Sequence, residues 1–379
     1  MLPPSEAISP SITALLKASS DTPSWRFLSD PMILEGMGLI QGTHWRATLE
    51  YSSEGHGIEW YVWESGTQGK GSPWHFHAHV ETVIHTENGV TLKALEPLGK
   101  TLSIVEHQLS AHAQLALTTG WQWHLIPITP DGSARPLLPE DAHAELPLLD
   151  GSSIPWAKLL GDVAHRHQVP PTFKQYEWHP TNLSSTPVRL GDDTHYLLVE
   201  PLTNPTSQLQ LSYTMPAMAH PLLAMTRYEW HAPSQEQLMA WHQSMVQEGV
   251  GEASYPDTLT ARTFGFVEDL APIQARGLAK GVRYDNTLGL YRTLHTTHSN
   301  TLQPLRHDQE PLSHKVLDLL GDMMLLGKGH SPIRLPLKLT CCNAGHGLHV
   351  ALVQQLLTWL EAGILQEVPP QEACGAVHP

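Results

Sequence analysis

Apolar and polar residues alternate at a period of two along the first part of the chain. In GIEWYVWE, Ile58, Trp60 and Val62 face away from Glu59, Tyr61 and Trp63, which is the pattern of a strand. From Met32, MILEGMGLIQGTHWRATLEY reads as a strand, a turn rich in glycine (Gly36, Gly38, Gly42) and a second strand. WHFHAHVETVIH is extended and places His75, His77 and His79 on one side. The period then lengthens. In TLSIVEHQLSAHAQLAL, Val105, Leu109 and Ala116 mark a helical stripe, with Glu106 and His107 side by side near its start. ELPLLDGSSIPWAKLL gives a strand ending in a DGS turn and a helix starting near Pro155.

Residues 166–188 carry several prolines and no periodicity, and read as a connection. Strands return in THYLLVE and in QLQLSYT, where Leu209, Leu211 and Tyr213 alternate with polar residues. SQEQLMAWHQSMV predicts a helix capped by Ser234 and Gln237, with Leu238, Trp241 and Met245 on its buried face. ARTFGFVEDLAPIQARGLAKGVRYDNTLGLY runs strand, helix, glycine turn, strand. The helix HKVLDLLGD, a final strand, the loop CCNAGHG and the helix LHVALVQQLLTWLEAG follow. Strands followed by helix, twice over, predict an α+β protein of two domains rather than an alternating parallel sheet. The expected boundaries are an extension at 1–28, a first domain at 29–165, a linker at 166–188, a second domain at 189–368 and a tail at 369–379.

Length and charge narrow the class. The 379 residues suffice for two domains of ordinary size, and 41% hydrophobic with only 16% charged residues describes a globular chain. A net charge of −15 without a Lys/Arg cluster argues against a nucleic-acid binder, so an anionic ligand would be met by a few local cations. No apolar run reaches the roughly 18 residues of a membrane span, and the first residues lack the basic start and apolar core of a secretory signal. Three cysteines, two of them adjacent at Cys341 and Cys342, make no disulfide framework, and the cytoplasm is the expected compartment.

Candidate chemistry concentrates in HKVLDLLGD. His314, Asp318 and Asp322 recur every four residues and share one helix face, while Leu317, Leu320 and Met324 form a neighbouring apolar stripe. A histidine and an aspartate one turn apart can reach a single metal ion, and zinc accepts nitrogen and carboxylate oxygen together. An isolated HxxxD is more commonly a solvated polar face. Glu106 and His107, about 100° apart on a helix, would let one residue bind a metal while the other reaches a water on it, although an exposed Glu–His pair is the commoner case. The His75, His77, His79 run has the form of metal ligands on barrel strands, but the downstream acid and fourth ligand of that pattern are not evident.

VEH at 105–107, LLDGS at 148–152, ARTFGF at 261–266 with the ensuing RGL, HKVLDLLGD at 314–322 and GH at 345–346 together resemble one family. It is the zinc-dependent UDP-3-O-acyl-N-acetylglucosamine deacetylases of lipid A synthesis, LpxC. The motifs stand in the family's order and cover roughly residues 30–365. The resemblance implies two α+β domains with the active site between them, and Zn2+ held by His107, His314 and Asp318 with one position left for water. It implies Glu106 as general base, His346 as general acid or cationic partner, Asp322 as the carboxylate that orients it and Thr263 as a hydroxyl at the oxyanion. It further implies Phe264 and Lys315 as substrate contacts, and a passage for the acyl chain in the segment from Phe266 to about Leu290.

The expected activity is removal of acetate from a UDP-linked, acylated glucosamine, by a monomer that spans no membrane and touches one only through its acyl substrate. Two other readings stay open: a deacetylase of a related N-acyl sugar or other amide, and a zinc-binding paralogue without catalysis. The chain departs from the family pattern at Ile40 and Gln41, usually His and Thr. It departs again at Asn343 and Ala344, usually Lys and Ser, and at His349, usually Asn.

Overall fold

The computed structural model describes residues 25–27, 33–37, 44–51, 57–62, 74–77 and 121–133 in the first part of the chain. Beyond these it describes 175–179, 186–202, 208–234, 261–292, 300–323 and 335–368, with isolated gaps, together with Gln237 and Thr258.

The alternating segments of the first part build a six-stranded sheet. Its strands are β1 (Trp25–Phe27), β2 (Ile33–Met37), β3 (His44–Tyr51), β4 (Gly57–Val62), β5 (Trp74–His77) and β6 (Trp121–Ile128), in the order β1-β2-β3-β6-β4-β5. β6 inserts between the consecutive strands β3 and β4, antiparallel to β3 and parallel to β4. A cross-strand ion pair pins the register of β2 on β3. Glu35 lies opposite Arg46, which donates to Glu35 Oε1 from Nε at 2.8 Å and from Nη2 at 2.6 Å.

Within residues 1–28, expected as an extension, Trp25–Phe27 pair antiparallel with β2. Three residues are too few to show a period, so backbone pairing alone decides that strand.

The second sheet contains β8 (Val188–Gly191), β9 (Tyr196–Pro201), β10 (Gln210–Thr214), β11 (Tyr228–His231) and β14 (Leu337–Cys342), in the order β11-β10-β14-β9-β8. Only β10 and β14 run parallel; the remaining pairs are antiparallel. Leu211, Ser212 and Tyr213 are buried in succession, so β10 is covered on both faces rather than one.

Helices α3 (Glu310–Met323) and α4 (His346–Glu361) pack on this sheet and on each other. Leu197, Val199 and Leu339 from the strands meet Leu317, Leu320, Leu352 and Leu356 from the helices in one core. Burying each such side chain is worth about 1.5–3 kcal/mol. The fold is α+β.

Two smaller units complete the described part. β12 (Thr263–Phe266) and β13 (Thr287–Leu290) run parallel, joined through α2 (Val267–Ala275). Gly289 on β13 is closely packed by α2 and the segment after β13: a Cβ there would lie 2.8 Å from Val267 Cγ2 and 2.9 Å from Leu302 Cβ. The second unit pairs β7 (Gln175–Trp178) antiparallel with β15 (Leu365–Val368).

Within residues 166–188, expected as a connection, β7 forms a strand and Tyr176 is buried in the same core as α3 and α4. Four residues flanked by prolines carry no legible period, and the partner strand lies at the far end of the chain. The Ser234–Gln237 cap forms as expected, with Ser234 N–H donating to Gln237 Oε1 at 2.8 Å and Gln237 N–H to Ser234 Oγ at 3.1 Å. A short helix α1 (Pro221–Ala224) begins at the buried His220. His220 Nδ1 accepts from Leu222 N–H, so Nε2 carries the proton that faces Asn300 O. Burial pulls that imidazole below its ordinary pKa, against the Asn300 carbonyl and Glu268.

Candidate functional site

Helix α3 is where the candidate residues converge. Pro311 occupies its first turn, where a missing N–H costs nothing, and Glu310 places a carboxylate at the positive end of the helix. The apolar stripe is wider than the sequence pattern indicates. Leu312, Val316, Leu317, Leu319, Leu320 and Met323 are all fully buried, whereas Met324 lies outside the described residues. Glu310, Ser313, His314 and Asp318 are buried as well. His314 and Asp318 are each 2% exposed, so this is no solvated face.

His314 Nε2 stands 3.4 Å from Asp318 Oδ1. The other carboxylate oxygen, Oδ2, accepts from Lys315 Nζ at 2.5 Å. On the far side of the ring, His314 Nδ1 faces Ala261 O at 3.3 Å. A carbonyl can only accept, so this contact requires the proton on Nδ1 and turns Nε2 towards Asp318. The Phe264 ring meets the His314 ring edge to face, with centroids 6.3 Å apart, and Lys315 Nζ lies 5.8 Å from the Phe264 centroid.

Zinc–donor bonds of about 2.0–2.2 Å at tetrahedral angles set neighbouring donors roughly 3.3–3.5 Å apart. An imidazole nitrogen and a carboxylate oxygen at this separation, both shut off from water, fit two corners of such a site. Among the described residues no group of three or more His, Cys, Asp or Glu comes together, and both His107 and Glu106 lie outside them.

The structure thus brings His314, Asp318, Lys315 and Phe264 together, with Thr263 beside Phe264 at the start of β12. Asp322 is one turn beyond Asp318 on α3, and His346 is the first residue of α4. The side chains of both are outside the description. Of the alternative histidine run, His75 and His77 lie on β5, the edge strand of the first sheet, and His79 is outside the described residues. Lys315, expected as a cation for the substrate, is held by Asp318.

The turn before α4 is built by residues that sequence reasoning passed over. Cys341 and Cys342 end β14 rather than opening a loop, and both are free thiols. Burial, then the neighbouring Cys342, push the Cys341 thiol far above its usual range.

Asn343 follows with φ 47°, a left-handed conformation that asparagine tolerates better than most residues. Its N–H donates to Thr214 O at 2.9 Å, its Nδ2 to Thr194 O at 2.7 Å, and its Oδ1 accepts from Ala217 N–H at 3.1 Å. Ala344 O accepts from the buried Tyr213 hydroxyl at 2.5 Å. That hydroxyl has spent its only proton, so its 3.3 Å contact with buried His349 has Nε2–H as the donor. Gly345, extended, then serves as N-cap of α4. The partners here are more than a hundred residues apart in sequence, and no local signal connects them.

Fold and cluster together define a class: an α+β protein whose His–Asp pair sits inside its core rather than on its surface. Residues 26–358 match the family model described as LpxC, UDP-3-O-acyl N-acetylglycosamine deacetylase, and the chain belongs to that family. A UDP-3-O-acyl-N-acetylglucosamine deacetylase of Leptospira biflexa is 25% identical over 87% of this chain and 89% of its own length. One of Helicobacter pylori strain J99 is 27% identical over 86% of this chain and 88% of its own. A Synechocystis relative of the same name reaches 30% over 56% of this chain and 63% of its own.

Proposed function

We propose that this chain removes the N-acetyl group of UDP-3-O-acyl-N-acetylglucosamine, releasing acetate, as a zinc-dependent hydrolase of lipid A biosynthesis in the cytoplasm. Family membership over residues 26–358 supports the substrate class. The observation that carries the chemistry is the buried His314–Asp318 pair at 3.4 Å. His107 is the third protein ligand, and the site lies between two α+β domains. When bound, zinc lowers the pKa of water towards neutrality and polarises an amide carbonyl.

The chain's own residues do the rest. Glu106, next to His107 in sequence, takes the proton of the attacking water. Thr263 donates its hydroxyl to the oxyanion that develops on the carbonyl oxygen. His346, at the first position of α4, protonates the departing amine, and Asp322 orients its ring. Phe264 closes the pocket beside His314, and Lys315 supplies the cation nearest the sugar nucleotide. The β12–α2–β13 unit forms the passage for the acyl chain.

No helix among the described residues is long and apolar enough to cross a membrane. The deciding experiment is acetate release by the purified zinc-loaded protein from UDP-3-O-acyl-N-acetylglucosamine, with acyl chains of graded length and with simple N-acetyl sugars. Turnover confined to the nucleotide substrate supports the proposal. Turnover of simple sugars alone indicates a different deacetylase, and stoichiometric zinc binding without turnover indicates a non-catalytic paralogue.

A further inference from the structure

Arg262 and Glu310 form a deeply buried ion pair, with side chains 6% and 0% exposed. Glu310 Oε1 accepts from Arg262 Nε at 2.7 Å and from the Arg262 backbone N–H at 3.0 Å. Oε2 accepts from Arg262 Nη2 at 2.9 Å and from Arg306 N–H at 2.9 Å. Nη2 also donates to Pro304 O at 2.8 Å. One carboxylate on the first residue of α3 therefore grips both the backbone and the side chain of the residue that precedes β12.

A buried pair of this kind is a poor device for stability alone. Removing two charges from water offsets most of their attraction, and apolar replacements are often neutral or better. Its location suggests another role. Arg262 is flanked by Ala261, whose carbonyl faces His314 Nδ1, and by Thr263, which leads into Phe264 against the His314 ring. Four residues along α3 from Glu310 is His314 itself. The latch thus joins the two elements whose relative placement decides where the Ala261 carbonyl stands and which nitrogen of His314 carries the proton. The carbonyl that accepts from the second ring nitrogen of a ligating histidine fixes its tautomer and orientation, and the latch holds that carbonyl in place.

We propose that Arg262 and Glu310 are positioning residues that hold the Ala261 carbonyl against His314 Nδ1, so that Nε2 is aimed beside Asp318 to bind zinc. This rests on the zinc reading of the site given above.

The test uses the full chain and three variants. Arg262→Lys keeps the charge but loses the fork, Glu310→Gln keeps the shape, and the paired variant Arg262→Met with Glu310→Met removes both charges from the core. Zinc affinity is measured by chelator competition, folding by thermal unfolding of the zinc-free protein, and the His314 tautomer by 15N shifts of its ring. The expected result is a variant set whose zinc affinity falls roughly 10–100-fold, the range for losing an outer partner of a ligand. The Nδ1–H form of His314 becomes less populated at the same time. The paired variant, which unfolds near the parental temperature, shows both losses in full.

The proposal is overturned if zinc affinity and tautomer stay parental in Arg262→Lys, or if they return in the paired variant together with stability. If the parent protein binds no zinc, the functional reading fails instead. The tautomer measurement on zinc-free protein still decides the positioning role.

Discussion

Single residues carry the sharpest consequences. If Glu106 is the base and His346 the acid, Glu106→Gln and His346→Gln should each lose about 10²–10⁴ in kcat with zinc still bound. Parallel metal analysis and a pH–rate profile check this: the wild type should show a bell, and each variant should lose one limb. Zinc-loaded variants within a few-fold of the wild type would remove both residues from the mechanism. A second consequence concerns stability. Burial pushes the Glu310 carboxyl up, but the hydrogen bonds and charge of Arg262, with the N–H groups of Arg306 and Arg262, bring it below its ordinary value. A carboxyl depressed in the folded state stabilises the fold fully above its unfolded pKa, about 4.3, and that contribution is lost as pH falls through the depressed value. Urea unfolding between pH 6 and pH 2, conditions chosen at about that range, should show a loss attributable to this pair. The paired Arg262→Met, Glu310→Met variant should have the shallower profile; identical profiles would mean that the pair does not couple folding to protons.

At the scale of elements, α3 and the turn before α4 are held differently. α3 is gripped by apolar packing along nearly its whole length, as the burial of Leu312, Val316, Leu319 and Leu320 shows. The turn before α4 depends on polar contacts instead: the Asn343 bonds to Thr194 and Ala217, and the Tyr213 hydroxyl on Ala344 O. Tyr213→Phe keeps the ring and withdraws the hydroxyl from Ala344 O and His349. It should cost about 1–3 kcal/mol in urea unfolding, the desolvation cost of a buried acceptor losing its partner. Because Ala344 lies two residues before His346, kcat should fall while KM holds. A variant as stable and as active as the parent would show that this hydroxyl holds nothing in place.

For the whole molecule, the expectation is that metal and fold are linked. A metal that binds the folded state and not the unfolded chain stabilises by mass action. Chelation should therefore abolish acetate release and lower the midpoint of thermal unfolding, and one equivalent of zinc should restore both. Unchanged unfolding and activity after verified metal removal would exclude a resident zinc.

Much of this organisation is legible without the structure. The period-two runs around Ile58 and Trp60, the Ser234–Gln237 cap and the strand–helix–strand order around ARTFGF are local signals, and they predict the elements observed. The spacing of His314 and Asp318 is equally local, because four residues is one helical turn. The strands Trp25–Phe27 and Gln175–Trp178 escape because pairing with a distant partner, not composition, makes them strands. The same reason separates the rest. By itself the sequence determines which residues share a helix face and which family the motifs resemble. Only the tertiary structure decides that His314 and Asp318 are buried rather than solvated, and that Glu310 grips Arg262 across 48 positions. It also sets the Ala261 carbonyl against His314 Nδ1, because the burial of polar side chains and their long-range hydrogen bonds arise from chain closure and leave no periodic trace along the chain.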